Sequence, residues 1–292
     1  MSGSTRRLGI FHNVGNGRRM FPLEALATGA ENCGWEAEMV PLGSDTVENY
    51  DMIAVGGAPW KYRAMNLEAT VKASTLGIPY LYIECGWLYK PRKPRHFFAY
   101  VNSFPYCPKF PCPHDRREKL NMKADFKPRG DEILIAGQSR GIDLHMEDLL
   151  TWLGNYTKRK IVYRPRRQID SPKWVAMKRY EVDMDRTAEE ALDNAWCVIT
   201  DYSNMGGEAL MRGIPVIGSH RASFSEFGGY LSLHSIDHIA PPSPFLVNDW
   251  LARMAYTLWS VKEFADGDAF AWILGRGLDV GSEKGSDLPQ GR

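Results

Sequence analysis

The sequence predicts an α/β protein built from two doubly wound halves with a cleft between them. Three observations carry this. Apolar runs of strand length alternate with segments of helical spacing. The runs are nearly continuous in apolar residues, as parallel strands covered on both faces must be. The alternation breaks once, in a proline-rich basic stretch, and then resumes.

RLGIFHNV reads as the first strand, and after the polar GNGRR the segment FPLEALATGAENCG has helical spacing and stops at Gly34. WEAEMVPL and DMIAVGG are the next two strands. MNLEATVKASTLG is a helix closed by Gly77, and IPYLYIECG is a fourth strand. Residues 103–130 hold five prolines and many charges, which leaves room for a short helix at most. Cys107, Cys112 and His114 fall there without the spacing of a zinc motif, so no metal site is expected.

DEILIAGQSRG then gives a strand and a glycine loop, LHMEDLLTWLG a helix, and RKIVYRPRR a strand leading into a basic loop. Thr187 followed by Glu190 is a capping box for a helix through ALDNA, and WCVIT is the next strand. The expected division is a first Rossmann-like domain over 1–129, a second over 130–275 and a polar tail over 276–292.

Composition bounds the class. With 292 residues, 44% hydrophobic and 24% charged, the chain is an ordinary globular one. Five irregularly spaced cysteines point to reduced thiols and a cytoplasmic location. No run reaches membrane-spanning length, and the opening apolar run is too short for a signal peptide. The net charge of +1 hides a local excess: between Lys90 and Arg129 stand eleven Lys or Arg against three acids. A second cluster, Lys158 to Arg167, flanks IVY. Both fit either solvated surface or a track for a polyanion.

The segment DYSNMGGEALMRGIPVI carries the most chemistry. Ser203, Asn204, Gly206 and Gly207 are small or capping residues at a strand-to-helix turn, Glu208 lies about one turn inside, and Gly213 stops the helix before another strand. Amides at such a helix start can donate to phosphate, and Glu208 could accept from a ribose diol. An ordinary capped turn explains the same residues. Walker A and GxGxxG patterns are absent from it.

On these residues the chain resembles the GT-B class of nucleotide-sugar glycosyltransferases, with two Rossmann-like doubly wound domains facing a central cleft, and within it polysaccharide-type and phage-encoded DNA-modifying transferases. The resemblance implies that Glu208 holds the donor ribose and that Ser203, Asn204, Gly206 and Gly207 line the diphosphate. In YRPRR, Arg164 matches the family's YRPHP-like segment and Arg166 stands where histidine is common; either would neutralise a departing diphosphate. Gly137, Ser139 and Arg140 of GQSRG look like further phosphate ligands. Asp201 and Glu208 have six residues between them where the family often has seven, so Asp201 reads as a turn residue.

The implied donor is a nucleotide-diphosphate sugar, a UDP-sugar by resemblance, with no covalent cofactor and no obligate protein partner. In the first half, His12 and Glu84 at strand ends are candidate catalytic groups, with Gly15, Gly17 and Gly57 allowing an acceptor to approach. The tract FFAYVNSFPY resembles one in phage transferases. With the basic excess it points to DNA carrying a hydroxymethylated base as acceptor, which places the enzyme in a host cytoplasm if phage-encoded. Arg92, Lys93, Arg95, Arg116 and Arg117 would hold the duplex, and Trp60 and Trp87 would wedge or stack beside an extruded base. A glycan or small-molecule acceptor fits the same donor site, and so does a noncatalytic nucleotide- or nucleic-acid-binding role.

Overall fold

The computed structural model describes residues 5–13, 17–56, 63–86, 88, 96–102, 107–137, 146–165, 180–201, 203–219 and 222–277. In chain order the elements begin β1 (Arg7–His12), α1 (Gly17–Asn32), β2 (Glu36–Pro41), β3 (Met52–Gly56), α2 (Arg63–Leu76), β4 (Tyr80–Cys85), β5 (His96–Val101) and α3 (Asp115–Lys119). They continue β6 (Glu132–Ala136), α4 (Met146–Tyr156), β7 (Ile161–Arg164), β8 (Glu181–Val182), α5 (Ala188–Asp193), β9 (Ala195–Ile199), α6 (Asn204–Met211) and β10 (Val216–Ile217). The last are α7 (Pro244–Ala255), β11 (Leu258–Ser260), α8 (Val261–Asp266) and α9 (Asp268–Trp272).

The chain forms two compact units, one of Met1–Phe104 with Thr257–Arg292 and one of Pro105–Tyr256. The division therefore falls at 104/105 and not at 129/130. The segment after Tyr256 returns to the first unit instead of completing the second. Its anchor is close packing: a Cβ on Gly29 of α1 would stand 1.9 Å from the Phe264 carbonyl oxygen of α8. Asn32 also donates to the Ala265 carbonyl at 2.9 Å.

In the first unit the strand order is β11-β5-β4-β3-β1-β2. Strands β1 to β4 are parallel, as their apolar runs predict, whereas β5 and β11 pair antiparallel. The FFAYV run is thus a strand buried along its whole length, and it turns the sheet mixed. One face packs Phe11, Ile53 and Val55 against Ala69 and Ala73 of α2. The other face holds α1, where the helix opens at Gly17, before the FPLEAL run.

In the second unit the order β10-β9-β6-β7-β8 is wholly parallel. Ile133, Ile135, Tyr163, Cys197 and Ile199 pack against Leu150 and Leu153 of α4 on one face. The predicted capping box starts α5: the Glu190 amide donates to Thr187 Oγ1 at 3.2 Å and the Thr187 amide to Glu190 Oε2 at 2.7 Å. Gly34, Gly77 and Gly213, the predicted helix stops, adopt the left-handed backbone that a side chain disfavours. Among the described residues no helix is long and apolar enough to cross a membrane.

Candidate functional site

The second unit's sheet reverses its winding between β6 and β9, and open α/β sheets bind ligands at the carboxyl ends of the strands at such a switch. Register sets Thr200, Ala136 and Arg164 in one row across this edge, their side chains on one face. Thr200 is fully buried, and its hydroxyl donates to the Ala136 carbonyl at 3.0 Å, tying the two strands where they part. Gly137, the next residue, donates its amide to the Arg164 carbonyl at 2.9 Å. A Cβ on Gly137 would lie 2.4 Å from the Tyr163 hydroxyl, so this glycine answers a packing demand of its own unit.

From the same edge rises α6. Ser203 caps it: its Oγ accepts from the Met205 amide at 3.4 Å, its carbonyl accepts from Gly206 at 2.9 Å, and its own amide reaches Thr200 Oγ1 at 3.3 Å. The expected open set of amides from Ser203 to Gly207 is therefore largely occupied from within. The Asn204 amide keeps no acceptor among the described residues. Gly206 and Gly207 are buried, and the first lies against the ring of Phe224 instead of open space. Asn204 and Glu208 sit four residues apart on the less buried face of the helix. Glu208 has no hydrogen-bond or ion-pair partner among the described residues, which leaves an acceptor-only group beside the switch point.

Arg164 is not free at this edge. Its Nη1 donates to Asp183 Oδ2 at 2.9 Å, and Asp183, buried beside it, also takes Arg186 Nε at 3.2 Å. Arg186 extends the chain of charges to Glu132.

The first unit has its own winding reversal, between β1 and β3, and His12 ends β1 there. The imidazole Nδ1 is buried without a hydrogen-bond partner among the described residues. Glu84 is the penultimate residue of β4 and accepts the Cys85 amide at 2.9 Å. Register puts Glu84 on the Phe11 face of the sheet and His12 on the opposite face, so the two candidates do not form a pair. Gly17 is the first residue of α1.

Part of the basic surplus is committed inside the second unit: Arg116, Arg117 and Arg129 are not exposed, while Lys109, Lys119, Lys123 and Lys127 are. Arg116 is buried and its Nε donates to the Ala255 carbonyl at 2.8 Å, while Arg117 Nη1 reaches Asn248 Oδ1 at 2.6 Å. These two hold α3 to α7, and Arg116 has no exposed guanidinium to offer a phosphate. The guanidinium carbons of Arg129 and Arg159 lie 3.6 and 3.7 Å from the Trp196 ring centroid. Lys160 pairs with Glu132 at 3.1 Å and Glu181 at 2.6 Å.

Ser139, Arg140, Arg166, Gly15, Gly57, Trp60, Trp87, Arg92, Lys93 and Arg95 lie outside the described residues. Among the described residues no group of three His, Cys, Asp or Glu could hold a metal ion, and Cys107, Cys112 and His114 form none. Sequence reasoning missed Asp183 and the hydroxyl of Thr200. A two-residue strand carries no periodicity to announce Asp183, and Thr200 reads as the last apolar-run residue of its strand.

No protein-family model matches the sequence, and no curated protein matches it. Among solved structures the chain is similar to KpsC of Thermosulfurimonas dismutans. The beta Kdo 2,4 transferase of that protein aligns at a TM-score of 0.52 and 15% identity, covering 86% of this chain and 91% of that one. The beta Kdo 2,7 transferase aligns at 0.50 and 12%, covering 91% and 99%. A UDP-GlcNAc 2-epimerase of Methanocaldococcus jannaschii, solved with UDP-GlcNAc and UDP, covers 92% and 99% at 12% identity with a TM-score of 0.39. The two KpsC likenesses show the fold: this chain is a GT-B-like α/β protein of two Rossmann-like units.

Proposed function

We propose that the protein is a nucleotide-sugar-dependent glycosyltransferase whose donor binds at the carboxyl edge of the second unit. The observation that carries this reading is Glu208, a carboxylate one turn into α6 with no partner among the described residues, beside the winding reversal between β6 and β9. A ribose diol supplies the two donors such a carboxylate lacks, and the Asn204 amide and Arg164 supply what a diphosphate lacks. The KpsC likenesses, both to beta Kdo transferases, support the same class.

In the reaction an acceptor hydroxyl oxygen attacks the anomeric carbon, the bond from that carbon to the diphosphate oxygen breaks, and the diphosphate leaves with the electron pair. The hydroxyl proton passes to a base, for which His12 is the candidate because it ends a strand at the first unit's own switch point. Arg164 offsets charge on the leaving diphosphate.

For the acceptor, a glycan or other small hydroxyl compound now stands ahead of DNA. Arg116 and Arg117 are committed within the fold. A hydroxymethylated base in DNA retains the support of Arg92, Lys93 and Arg95 in KPRKPR and of the exposed Lys109, Lys119, Lys123 and Lys127. The test is transfer from a panel of nucleotide sugars to glycans, hydroxymethylated DNA and plain DNA, read by intact product mass. Product on a glycan alone supports the first acceptor and product on hydroxymethylated DNA alone the second. Nucleotide binding with no transfer to any acceptor rejects the enzyme reading in favour of a binding protein.

A further inference from the structure

Asp183 follows β8 and Arg164 ends β7, and the pairing of these strands brings the two residues side by side. The Asp183 amide donates to the Tyr163 carbonyl at 2.8 Å, which fixes its backbone to β7. Its side chain is 3% exposed. A carboxylate so buried is costly unless paired and hydrogen-bonded. Here both oxygens are used: Oδ2 takes Arg164 Nη1 at 2.9 Å and Arg186 Nε at 3.2 Å, and Oδ1 takes the Arg186 amide at 3.1 Å.

The view from Arg164 is asymmetric. A guanidinium has five N–H donors in a rigid fork, and among the described residues only Nη1 has a partner. The side chain is 21% exposed, at the edge row shared with Ala136 and Thr200. One side of the fork is thus clamped by a buried anion while other donors remain for a second one. Clamping removes rotamer freedom before a ligand arrives, which lowers the entropy cost of binding it.

We infer that Asp183 is a positioning residue, whose buried carboxylate holds Arg164 in the one orientation that receives the donor's diphosphate. The inference deepens the donor-site reading and rests on it. Arg186 shares the same carboxylate, yet it runs on to Glu132 and serves the fold. It is therefore the internal control.

The experiment is calorimetric titration of the full chain with inorganic pyrophosphate, with a panel of nucleoside diphosphates, and with the matching nucleosides. Asp183→Asn is expected to weaken pyrophosphate and nucleoside diphosphate by about tenfold to a hundredfold, the size of a charge-assisted contact, and to leave the nucleoside unaffected. Arg186→Gln lowers Tm and keeps pyrophosphate affinity. Asp183→Asn combined with Arg164→Ala binds no more weakly than Arg164→Ala alone, because both act through one guanidinium. Should Asp183→Asn not fold, Arg164→Lys carries the test: it keeps the charge without the fork, and the same loss is expected. Wild-type affinity for pyrophosphate in Asp183→Asn or Arg164→Lys, an equal loss for the nucleoside, or additive losses in the double variant would overturn the role. A wild type that binds pyrophosphate but no nucleotide rejects the nucleotide-sugar reading and leaves the Asp183–Arg164 anion site standing. One that binds neither overturns both.

Discussion

The ring of Phe224 occupies the space into which a Cβ on Gly206 would project, with Phe224 Cζ only 2.3 Å from it. Phe224 is 1% exposed, so the ring has nowhere to retreat, and a Cβ on Gly218 would also stand 2.7 Å from it. Alanine in place of glycine gains at most about 1 kcal/mol of helix propensity. Overpacking a closed core costs about 1–3 kcal/mol, so the clash wins. Gly206→Ala is expected to lower the urea midpoint with an unchanged slope, and a Gly206→Ala, Phe224→Leu pair to recover part of the loss. A stability equal to wild type would show that the ring yields.

Glu208 is expected to matter for ligand and not for fold. Its carboxylate holds no partner among the described residues, so Glu208→Gln removes no internal hydrogen bond. Loss of a charge-assisted ribose contact should weaken the cognate nucleotide by about 1–3 kcal/mol. Calorimetry beside a thermal melt checks it: unchanged affinity in a folded variant rejects Glu208 as the ribose acceptor.

What was legible in the sequence was local. The Thr187 to Glu190 box, the Ser203 cap and the stop at Gly213 need only neighbours within a turn, and each is present. The parallel order of the second sheet followed from apolar runs alternating with helices. Long-range partners were not legible. Nothing near Leu258 announces that it pairs with Phe98, or that Asn32 bonds to Ala265. Charge counting does not separate surface cations from internal ones for the same reason: within one tract Lys119 and Lys123 are exposed, while Arg116 bonds to the Ala255 carbonyl and Arg129 lies on the Trp196 ring. The place of Glu208 one turn inside a capped helix was readable because the cap is its neighbour in sequence. Asp183 was not, since its partner comes from another strand.

Arg116 gives a prediction that separates fold from acceptor. Arg116→Ala deletes a buried guanidinium and leaves the Ala255 carbonyl without its 2.8 Å donor. The expected loss is about 1–3 kcal/mol of stability, read by denaturant titration. Any affinity for duplex DNA, measured on the folded fraction across a salt series, should keep its slope. Replacing Arg92, Lys93 and Arg95 by Ala should reduce that slope if DNA is the acceptor. A weaker duplex complex in Arg116→Ala at unchanged Tm would return Arg116 to the nucleic-acid surface.

Tyr256 and Asp115 make stability respond to pH at both extremes. The Tyr256 hydroxyl donates to Asp115 Oδ1 at 2.7 Å. Burial first, and then this bond and the charge of Asp115, push the phenol up to about 12. The same hydrogen bond is the main reason that the Asp115 carboxyl lies below its ordinary value. A free tyrosine ionises near pH 10, so the folded state holds a proton that the unfolded chain releases between about pH 10 and 12. The contribution of Tyr256 is present in full below that window and lost across it. For Asp115 the sign is opposite: its contribution is present above the ordinary aspartate value near 3.9 and lost as pH falls through the lowered folded value. Tyr256→Phe removes the shared hydrogen bond, at about 1 kcal/mol near neutrality. The stability difference between wild type and Tyr256→Phe should narrow as pH rises from 10 through 12, and narrow again below about pH 4. Urea titrations at pH 3, 7 and 11 test both limbs. A difference that stays constant over the three would show that the bond does not couple to either proton.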